Sequence, residues 1–305
     1  MLRDRRNCEL LPHIREDVSG LTYGAGQIHG WEIIKFNIKN LWPKSKGSGV
    51  TVAVVDTGCD LDHPDLKSNL VNGKNFIEVG EPPQDRNGHG SHVAGTIAAT
   101  DNALGMVGIA PQAKIMPVKS LADNGSGSIN AVIDGVIWAV DHGADIIAMS
   151  LGSMYSSGRL LKAVRYAQSK NVAVFCAAGN SGPSVDIMYP AKYKETVSIG
   201  AIDRNLRRTS FTCSGNSLDF LAPGQDILSC VPGGYAMMSG TSMSNPFVAG
   251  YAALYLSHKR RGRSGTGLPS SAYISHFKKH VKHLEDSTYS KQRRYEGYGI
   301  VIPTL

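Results

Sequence analysis

The sequence predicts an α/β protein of three layers (αβα), in which a mainly parallel central sheet lies between helices. One observation is that short apolar runs rich in β-branched residues alternate with segments whose apolar residues recur at helical spacing. A second is that these runs are apolar at successive positions, which is typical of strands buried on both faces. Strands of this kind alternating with helices indicate a parallel sheet covered on both sides.

The predicted strand 49–58 ends in a turn, because the run VAVVD is followed by Thr57 and Gly58. One predicted helix has apolar residues at helical spacing and ends at Gly143, and the last carries Pro246 in its first turn. The predicted strands are 49–58, 113–121, 144–152, 172–180 and 196–203, and the predicted helices are 92–100, 129–143, 159–171 and 242–260. A predicted loop at 262–271 precedes a basic stretch that is predicted to be helical.

The chain has 305 residues, of which 42% are hydrophobic and 34 are glycines, so it can form a large core with many tight turns. It shows no internal repeat and no long linker, which predicts a single domain.

No apolar run approaches the roughly 20 residues needed to span a bilayer, and the N-terminus lacks the apolar segment of a signal peptide. Five cysteines without a CxxC pair do not form a disulfide framework, and we expect Cys59 and Cys176 to be buried. Together these features predict a cytoplasmic protein.

The net charge of +7 is concentrated near the C-terminus. The segment 258–294 contains ten Lys or Arg and two Asp or Glu. The primary interpretation is a solvated surface. A patch for nucleic acid or another polyanion is the alternative, although no nucleic-acid-binding motif accompanies it. A polyanion-binding protein is therefore one candidate function.

Asp56 ends the run VAVVD, where a charge is costly unless it has partners. It either forms the turn that follows or orients an imidazole. His89 and His92 come next, within NGHGSHVAGT at the start of a predicted helix. A zinc site there would need a third ligand, and neither an HExxH motif nor a nearby His or Cys cluster is present. Otherwise the pair is structural, or one member moves a proton.

Ser242, in SGTSMSNPF, follows small residues and begins an apolar helix. A serine at a helix start is most often an N-cap, but the same position can offer its hydroxyl to a substrate. Asp56, His89 and Ser242 together fit one reaction. An attacking serine needs an imidazole to take its proton, and the imidazole needs a carboxylate to fix its tautomer.

Four motifs of the chain resemble those of the subtilases, the subtilisin-like serine peptidases. VAVVDTGCDLDHPDL resembles the Asp motif, NGHGSHVAGTIAA the His motif, SGTSMSNPFVAG the Ser motif, and AAGNSG the segment with the oxyanion-hole asparagine. The order Asp, His, Ser is that of subtilisin. The likeness runs from about Tyr23 to about Leu256, with a weaker trace in GYGIV near the end. It implies a subtilisin-like fold and a serine endopeptidase of broad specificity, and a processing protease with one client protein is the alternative.

The resemblance implies a role for each matching residue. Asp56 would orient His89, which would act as the general base, and Ser242 would be the nucleophile. Asn180 would donate a hydrogen bond to the oxyanion, beside the backbone N–H of Ser242. His92 matches the family's second histidine, which is structural.

A groove for an extended peptide is also implied, between the edge segments GSG and SLG. Strand addition suits polypeptide substrates, because main-chain hydrogen bonds do not depend on side chains. No carboxylate is placed to select a basic P1 residue, the residue before the cleaved bond, so an apolar or aromatic P1 residue is predicted. The implied substrate-binding residues are Gly125, Ser126, Gly127, Ser150, Leu151, Gly152, Ala178 and Gly179, with Ile187 and Met188 at the specificity pocket.

The resemblance further implies a structural calcium ion. Oxygen ligands from a carboxylate, an amide and a turning backbone suit calcium. An additional family ligand, an N-terminal glutamine, aligns near Ser19 here, and an ordinary Asx-rich loop is the alternative. The implied ligands are Asp65, Asn102 and the backbone carbonyls of Thr100, Leu104 and Met106.

The segment ELLPHI resembles the short N-terminal extension of the intracellular subtilisin branch, which lies across the active site and blocks it. We therefore divide the chain into an extension, 1–17, and a peptidase domain, 18–305. Pro12 lacks an N–H and has a fixed φ, so residues 10–12 could occupy the cleft without presenting a cleavable bond. A disordered terminus is the alternative. The predicted partners are thus polypeptide substrates and this extension, with no membrane, and a homodimer is left open.

Overall fold

A computed structural model describes residues 7–18, 26–261, 266–286 and 288–305 of the chain. Ser19, Tyr23, residues 1–6 of the predicted extension and residues 262–265 of the predicted loop lie outside the described residues. In the described part, every helix is too short or too polar to cross a membrane.

The five strands predicted from sequence are present, and shorter strands accompany them. In chain order the strands are β1 (Asn7–Leu10), β2 (Ile14–Asp17), β3 (Thr51–Asp56), β4 (Lys74–Asn75), β5 (Lys114–Lys119), β6 (Ser126–Ser128), β7 (Ile146–Met149), β8 (Leu151–Gly152), β9 (Ala173–Ala177), β10 (Val197–Ile202), β11 (Phe220–Pro223), β12 (Ile227–Val231), β13 (Gly234–Ser239), β14 (Val281–Lys282) and β15 (Ile300–Val301).

The four predicted helices are also present, as α2 to α5. In chain order the α-helices are α1 (Trp31–Lys35), α2 (His89–Ala98), α3 (Ile129–Asp141), α4 (Gly158–Ser169), α5 (Thr241–Arg260), α6 (Ser270–Phe277) and α7 (Arg293–Glu296). Two 3₁₀ helices are formed by Ile38–Asn40 and Lys67–Asn69.

Serine caps set the starts of two long helices. Ser128 accepts a hydrogen bond from the backbone N–H of Ala131 at the start of α3. Ser157 accepts one from the backbone N–H of Leu160 at the start of α4. Beyond the end of α3, Gly143 has a φ of 85°, a left-handed conformation that suits glycine. Local sequence therefore determines both ends of α3.

The central sheet has nine strands in the order β14-β15-β11-β10-β9-β7-β3-β5-β4. Its pairs are parallel except for β14 and β15 at one edge. Helices α2 and α5 pack against each other and the sheet, as do α3 and α4, which confirms the predicted three-layer α/β fold. Because carboxyl ends of parallel strands meet at one edge, Asp56, the last residue of β3, lies at that edge with Ser150 and Ala178, which follow β7 and β9.

Two small antiparallel sheets lie beside the central one, and both include the N-terminal segment. Strand β1 lies between β6 and β8, and β2 pairs with β13 of the β12–β13 hairpin. Sequence patterns did not predict β1 and β2 as strands of these sheets. Their four-residue sequences NCEL and IRED become strands through distant partners rather than through local preference.

Buried aromatic and apolar residues fill the space around the central sheet. Every residue of β9 and β10 is buried. Phe175 on β9 contacts Tyr273 on α6 in a T-shaped arrangement, with ring centroids 5.5 Å apart. Cys59 and Cys176 are fully buried, as predicted, and the five cysteines form no disulfide.

The basic C-terminal stretch differs from the predicted helix. Helix α6 ends at Phe277, and the chain then forms β14, in which Val281 lies opposite Val301. A two-residue edge strand is determined by its partner in the sheet, so the local pattern did not indicate it.

Candidate active site

Asp56 and His89 form a buried hydrogen-bonded pair. Asp56 ends β3, His89 begins α2, and neither residue is exposed. His89 Nδ1 donates to Asp56 Oδ1 at 2.8 Å, and the same oxygen accepts the N–H of Thr57 at 2.8 Å. His89 Nε2 has no hydrogen-bond partner among the described residues. The carboxylate thus favours the tautomer in which Nε2 can accept a proton.

Asp85 organises the loop before α2, and the sequence motifs did not single it out. Its buried carboxylate accepts the backbone N–H groups of Asn87, Gly88 and Ser91, each at 2.9 Å. It also accepts the hydroxyl of Thr57 at 2.9 Å, so it connects the start of α2 to the turn after β3. The sequence signal was weak, since the N-cap of α2 is Gly88 and Asp85 lies three residues before it, outside the usual capping position.

Gly90 allows α2 to approach the turn after β3. A Cβ atom built on Gly90 would lie 2.1 Å from the carbonyl oxygen of Gly58. That carbonyl belongs to the backbone and cannot move aside at low cost. A larger residue at position 90 would therefore separate His89 from Asp56.

His92 connects α2 to the β12–β13 hairpin. Its Nε2 donates to the carbonyl of Ile227 at 3.0 Å and lies 3.2 Å from that of Ala236. Complete burial, with a further contribution from His89, lowers the pKa of His92 to about 3. The two histidines thus have different partners, which disfavours the alternative in which they bind one metal ion.

Ser242 lies in the first turn of α5, and it is fully buried. Its Oγ donates to the carbonyl of Ser150 at 3.3 Å, and Ser150 Oγ donates to the carbonyl of Ser242 at 2.9 Å. The sequence motifs predicted that this hydroxyl lies within hydrogen-bonding reach of His89, but His89 Nε2 has no partner among the described residues. To donate to His89 Nε2, the Ser242 hydroxyl would have to leave the carbonyl of Ser150, and catalytic hydrogen bonds often form only when substrate binds.

Asn180 presents its amide N–H groups to the groove in a fixed orientation. Its Oδ1 accepts hydrogen bonds from the N–H of Thr241 at 2.9 Å and from the Thr241 hydroxyl at 2.7 Å. Its Nδ2 donates to the carbonyl oxygen of Pro12 at 2.7 Å. A carbonyl oxygen of the chain's own N-terminal segment therefore occupies the donor that was predicted for the oxyanion.

The N-terminal segment lies in the predicted peptide groove as a strand. Cys8 pairs with Gly127 of β6, and Glu9 pairs with Gly152 of β8. The N–H of Leu10 donates to the carbonyl of Gly125 at 2.9 Å. Both predicted edge segments thus bind an extended chain through main-chain hydrogen bonds.

Leu11 fills an apolar pocket beside β8. It is 2% exposed, and a Cβ built on Gly152 would lie 2.6 Å from Leu11 Cδ2 and 3.3 Å from Met188 Sδ. A Cβ built on Gly179 would lie 3.0 Å from Met188 Cγ. The predicted pocket residues Gly152, Gly179 and Met188 therefore lie together around Leu11, and Ile187 is buried beside them.

The predicted calcium ligands also lie together. Asp65 is buried, and its carboxylate accepts Asn102 Nδ2 at 3.0 Å and the N–H of Met106 at 3.0 Å. Gln27 Nε2 donates to the carbonyl of Thr100 at 2.7 Å. Asn102 thus points its amide nitrogen at Asp65, while its Oδ1 accepts the N–H of Leu104 at 2.9 Å, and Gln27 points its amide nitrogen at Thr100. Turning the two amides over would present oxygen at these positions instead. The set is rich in oxygen ligands and fits calcium, with Gln27 as a neighbour that the sequence motifs did not indicate.

His63 and Cys230 also place potential ligand atoms within 4.8 Å of Asp65. The carbonyl of Gly234 accepts a hydrogen bond from His63 Nε2 at 2.9 Å. Burial, with a contribution from Asp65, raises the pKa of the Cys230 thiol. A protonated thiol and an engaged imidazole are poor metal ligands, so this group forms part of the packing.

Comparisons with known proteins show which family the chain belongs to. Residues 47–299 match the model of the subtilase family. The chain is 48% identical over 223 residues to an "Intracellular serine protease" of Paenibacillus polymyxa. The matched region covers 70% of this chain and 68% of that relative. It is 49% identical over 210 residues to "Subtilisin Savinase" of Lederbergia lenta, a match that covers 68% of this chain and 76% of that relative. It is 45% identical over 222 residues to a "Thermophilic serine proteinase" of Bacillus sp. (strain AK1), with 72% of this chain and 55% of the relative covered.

The match to the family model extends from before β3 to beyond α7, so it includes all four motifs identified in the sequence. The chain belongs to the subtilase family of serine proteases.

Proposed function

We propose that the chain is a serine endopeptidase in which Ser242 is the nucleophile, His89 the general base and Asp56 the residue that orients it. The observation that carries this proposal is the buried Asp56–His89 hydrogen bond, with His89 Nε2 left without a partner among the described residues. Asn180 supports it, because its fixed Nδ2 already holds a backbone carbonyl oxygen.

The proposed reaction begins when Ser242 Oγ attacks the carbonyl carbon of the bound peptide and its proton moves to His89 Nε2. The carbonyl oxygen becomes negative and accepts hydrogen bonds from Asn180 Nδ2 and the N–H of Ser242. Collapse of this intermediate breaks the C–N bond, and His89 gives its proton to the leaving nitrogen. Water then attacks the acyl group on Ser242 by the same route, which restores the free hydroxyl.

Substrates bind as a strand between β6 and β8 and place an apolar side chain in the pocket that Leu11 fills. The residues found around this pocket, Gly152, Gly179 and Met188, are all uncharged. Main-chain hydrogen bonds contribute most of the recognition, so specificity is broad, with a preference for apolar P1 residues. A processing protease with one client is not favoured by any feature of this pocket.

The N-terminal extension acts as an inhibitor in this proposal, because residues 7–12 occupy the groove, the pocket and the oxyanion donor. We expect that removing residues 1–17 raises peptidase activity at once, since no strand must then leave before substrate binds. Initial rates on a chromogenic peptide with leucine at P1, compared at equal concentration with the full chain, measure the effect. Equal rates for both chains would contradict the inhibitory role, and no activity in either would contradict the proposed function.

We also propose that calcium binds at Asp65, Asn102, Thr100, Leu104 and Met106, where it would hold the loop after α2 to the turn that contains Asp65. We expect calcium at about 100 times its Kd to raise Tm by about 5 °C, measured in the Ser242→Ala chain to prevent self-digestion. The matched variants are Asp65→Asn, which should abolish the calcium-dependent increase, and Asp101→Asn, which should keep it. A Tm that does not respond to calcium or to a chelator would refute the site.

A cytoplasmic location remains part of the proposal. The five cysteines form no disulfide, as is usual in a reducing compartment, and the Paenibacillus polymyxa relative is named an intracellular protease.

The basic segment 258–294 supports no second function. Arg260 pairs with Asp145 at 2.5 Å and Arg293 with Asp219 at 3.3 Å. Lys278 Nζ lies 3.7 Å from the ring centroid of Tyr298. These three cations have partners within the chain, which favours a structural surface, so polyanion binding is not part of the proposed function. Homodimer formation is not part of it either.

A further inference from the structure

His13 lies between the two elements that carry the proposed catalytic residues. Its ring centroid is 5.0 Å from that of His89, with the rings tilted by 54°. A Cβ built on Gly240, two residues before Ser242, would lie 3.5 Å from His13 Cβ. His13 Nδ1 donates to the carbonyl oxygen of Leu11 at 3.0 Å, so the imidazole closes a short loop around Pro12.

This loop shifts the bound segment out of a cleavable position. Because Leu11 fills the pocket, its own carbonyl is the one that a substrate would place on Asn180 Nδ2. The structure instead places the carbonyl of Pro12 there, at 2.7 Å, while His13 holds the carbonyl of Leu11. The side chain and the carbonyl oxygen that occupy the site therefore come from different residues.

We propose that His13 is a positioning residue for self-inhibition: its imidazole keeps the Leu11 carbonyl away from Asn180 and covers His89, and protonation of this imidazole releases the segment. The inference rests on the proposed function and adds to it the reason why the segment is held rather than cut, and a trigger for its release.

The electrostatics of His13 determine the direction of this trigger. Burial is the largest influence and lowers the pKa of His13, and the neighbouring His89 and Arg15 lower it further. The hydrogen bond to Leu11 and the carboxylate of Asp56 act in the opposite direction. His92, the other titratable group on α2 that interacts with His13, stays neutral since its own pKa is about 3.

The sign of the pH dependence follows from linkage. A depressed pKa means that the released segment binds a proton more readily than the bound one. The bound state is therefore most stable above the ordinary histidine pKa near 6.5, and it loses stability as the pH falls below that value.

Cys8 provides a probe of release that does not depend on activity. It lies in β1 and is fully buried, so it should react with a disulfide reagent such as 4,4′-dithiodipyridine only when the segment leaves the groove. The measurement uses the full chain with Ser242→Ala, and each rate is divided by that of a small thiol at the same pH. A Cys8→Ser chain gives the background from the other four cysteines, which are also buried.

We expect the corrected rate to rise several-fold from about pH 8 to about pH 5.5, across the titration range of histidine. His13→Asn keeps an N–H donor close to the position of Nδ1 but does not ionise, so its rate should stay low and flat. His13→Phe keeps a ring but loses the donor, so its rate should be raised at every pH.

The inference would be overturned if the Cys8 reaction rate depended on pH equally in the His13→Asn chain and in the chain that keeps His13. It would also be overturned if the rate did not change with pH in either chain. The proposed function would survive that result if the chain without residues 1–17 cleaves peptides. If that shortened chain is inactive, the proposed function fails independently of the thiol measurement.

Discussion

Ser242→Ala should lower kcat by about 10⁶-fold, the magnitude known for loss of the nucleophile in subtilisin itself. The methyl group cannot attack a carbonyl, and only the binding groove and the oxyanion donors remain to accelerate hydrolysis. The rate should be measured on a leucine peptide with chains lacking residues 1–17, so that the extension does not mask the difference.

Ser244→Ala is the matched control for this change. Ser244 is a buried serine two residues further along α5, and its hydroxyl donates to the carbonyl of Ala222 rather than facing the groove. We expect its kcat to stay within a few-fold of the parent chain. If Ser242→Ala kept substantial activity, or if both variants lost activity equally, Ser242 would not be the nucleophile.

Asn180→Ala should lower kcat by about 10²–10³-fold with little change in KM, on the scale known for the equivalent asparagine of subtilisin. Its Nδ2 is held in place because Thr241 donates two hydrogen bonds to its Oδ1. A donor aimed at the oxyanion stabilises the transition state more than the bound substrate, so the effect belongs in kcat.

Asn205→Ala, which alters an exposed amide in the loop after β10, is the control and should leave both constants unchanged. The shortened chain is again the right background, because Asn180 also holds the carbonyl of Pro12. A rise in KM at constant kcat would show that Asn180 only binds substrate and would remove it from the proposed oxyanion hole.

Much of the fold and of the candidate site could be predicted because the information is local. The alternation of apolar runs and helical patterns predicts β3, β5, β7, β9 and β10, and with them the edge at which Asp56 lies. Long motifs around His89 and Ser242 indicated the family and the residues that meet at this edge.

Other features depend on contacts between distant parts of the chain. Strand β1 forms only because β6 and β8 offer unpaired edges, so NCEL alone does not predict it. The position of residues 10–12 in the cleft was predicted from resemblance, but their register was not. The oxygen on Asn180 comes from Pro12 through a contact between residues 168 positions apart, so no local pattern could indicate this register.

The most direct test of the proposed mechanism is reaction of the chain lacking residues 1–17 with a fluorophosphonate, followed by mass spectrometry of its peptides. Attack on phosphorus requires a serine whose proton can pass to an imidazole that is oriented by a carboxylate. We expect one adduct, on Ser242, which forms far more slowly after His89→Ala. The absence of an adduct, or an adduct on a different residue, would contradict the mechanism.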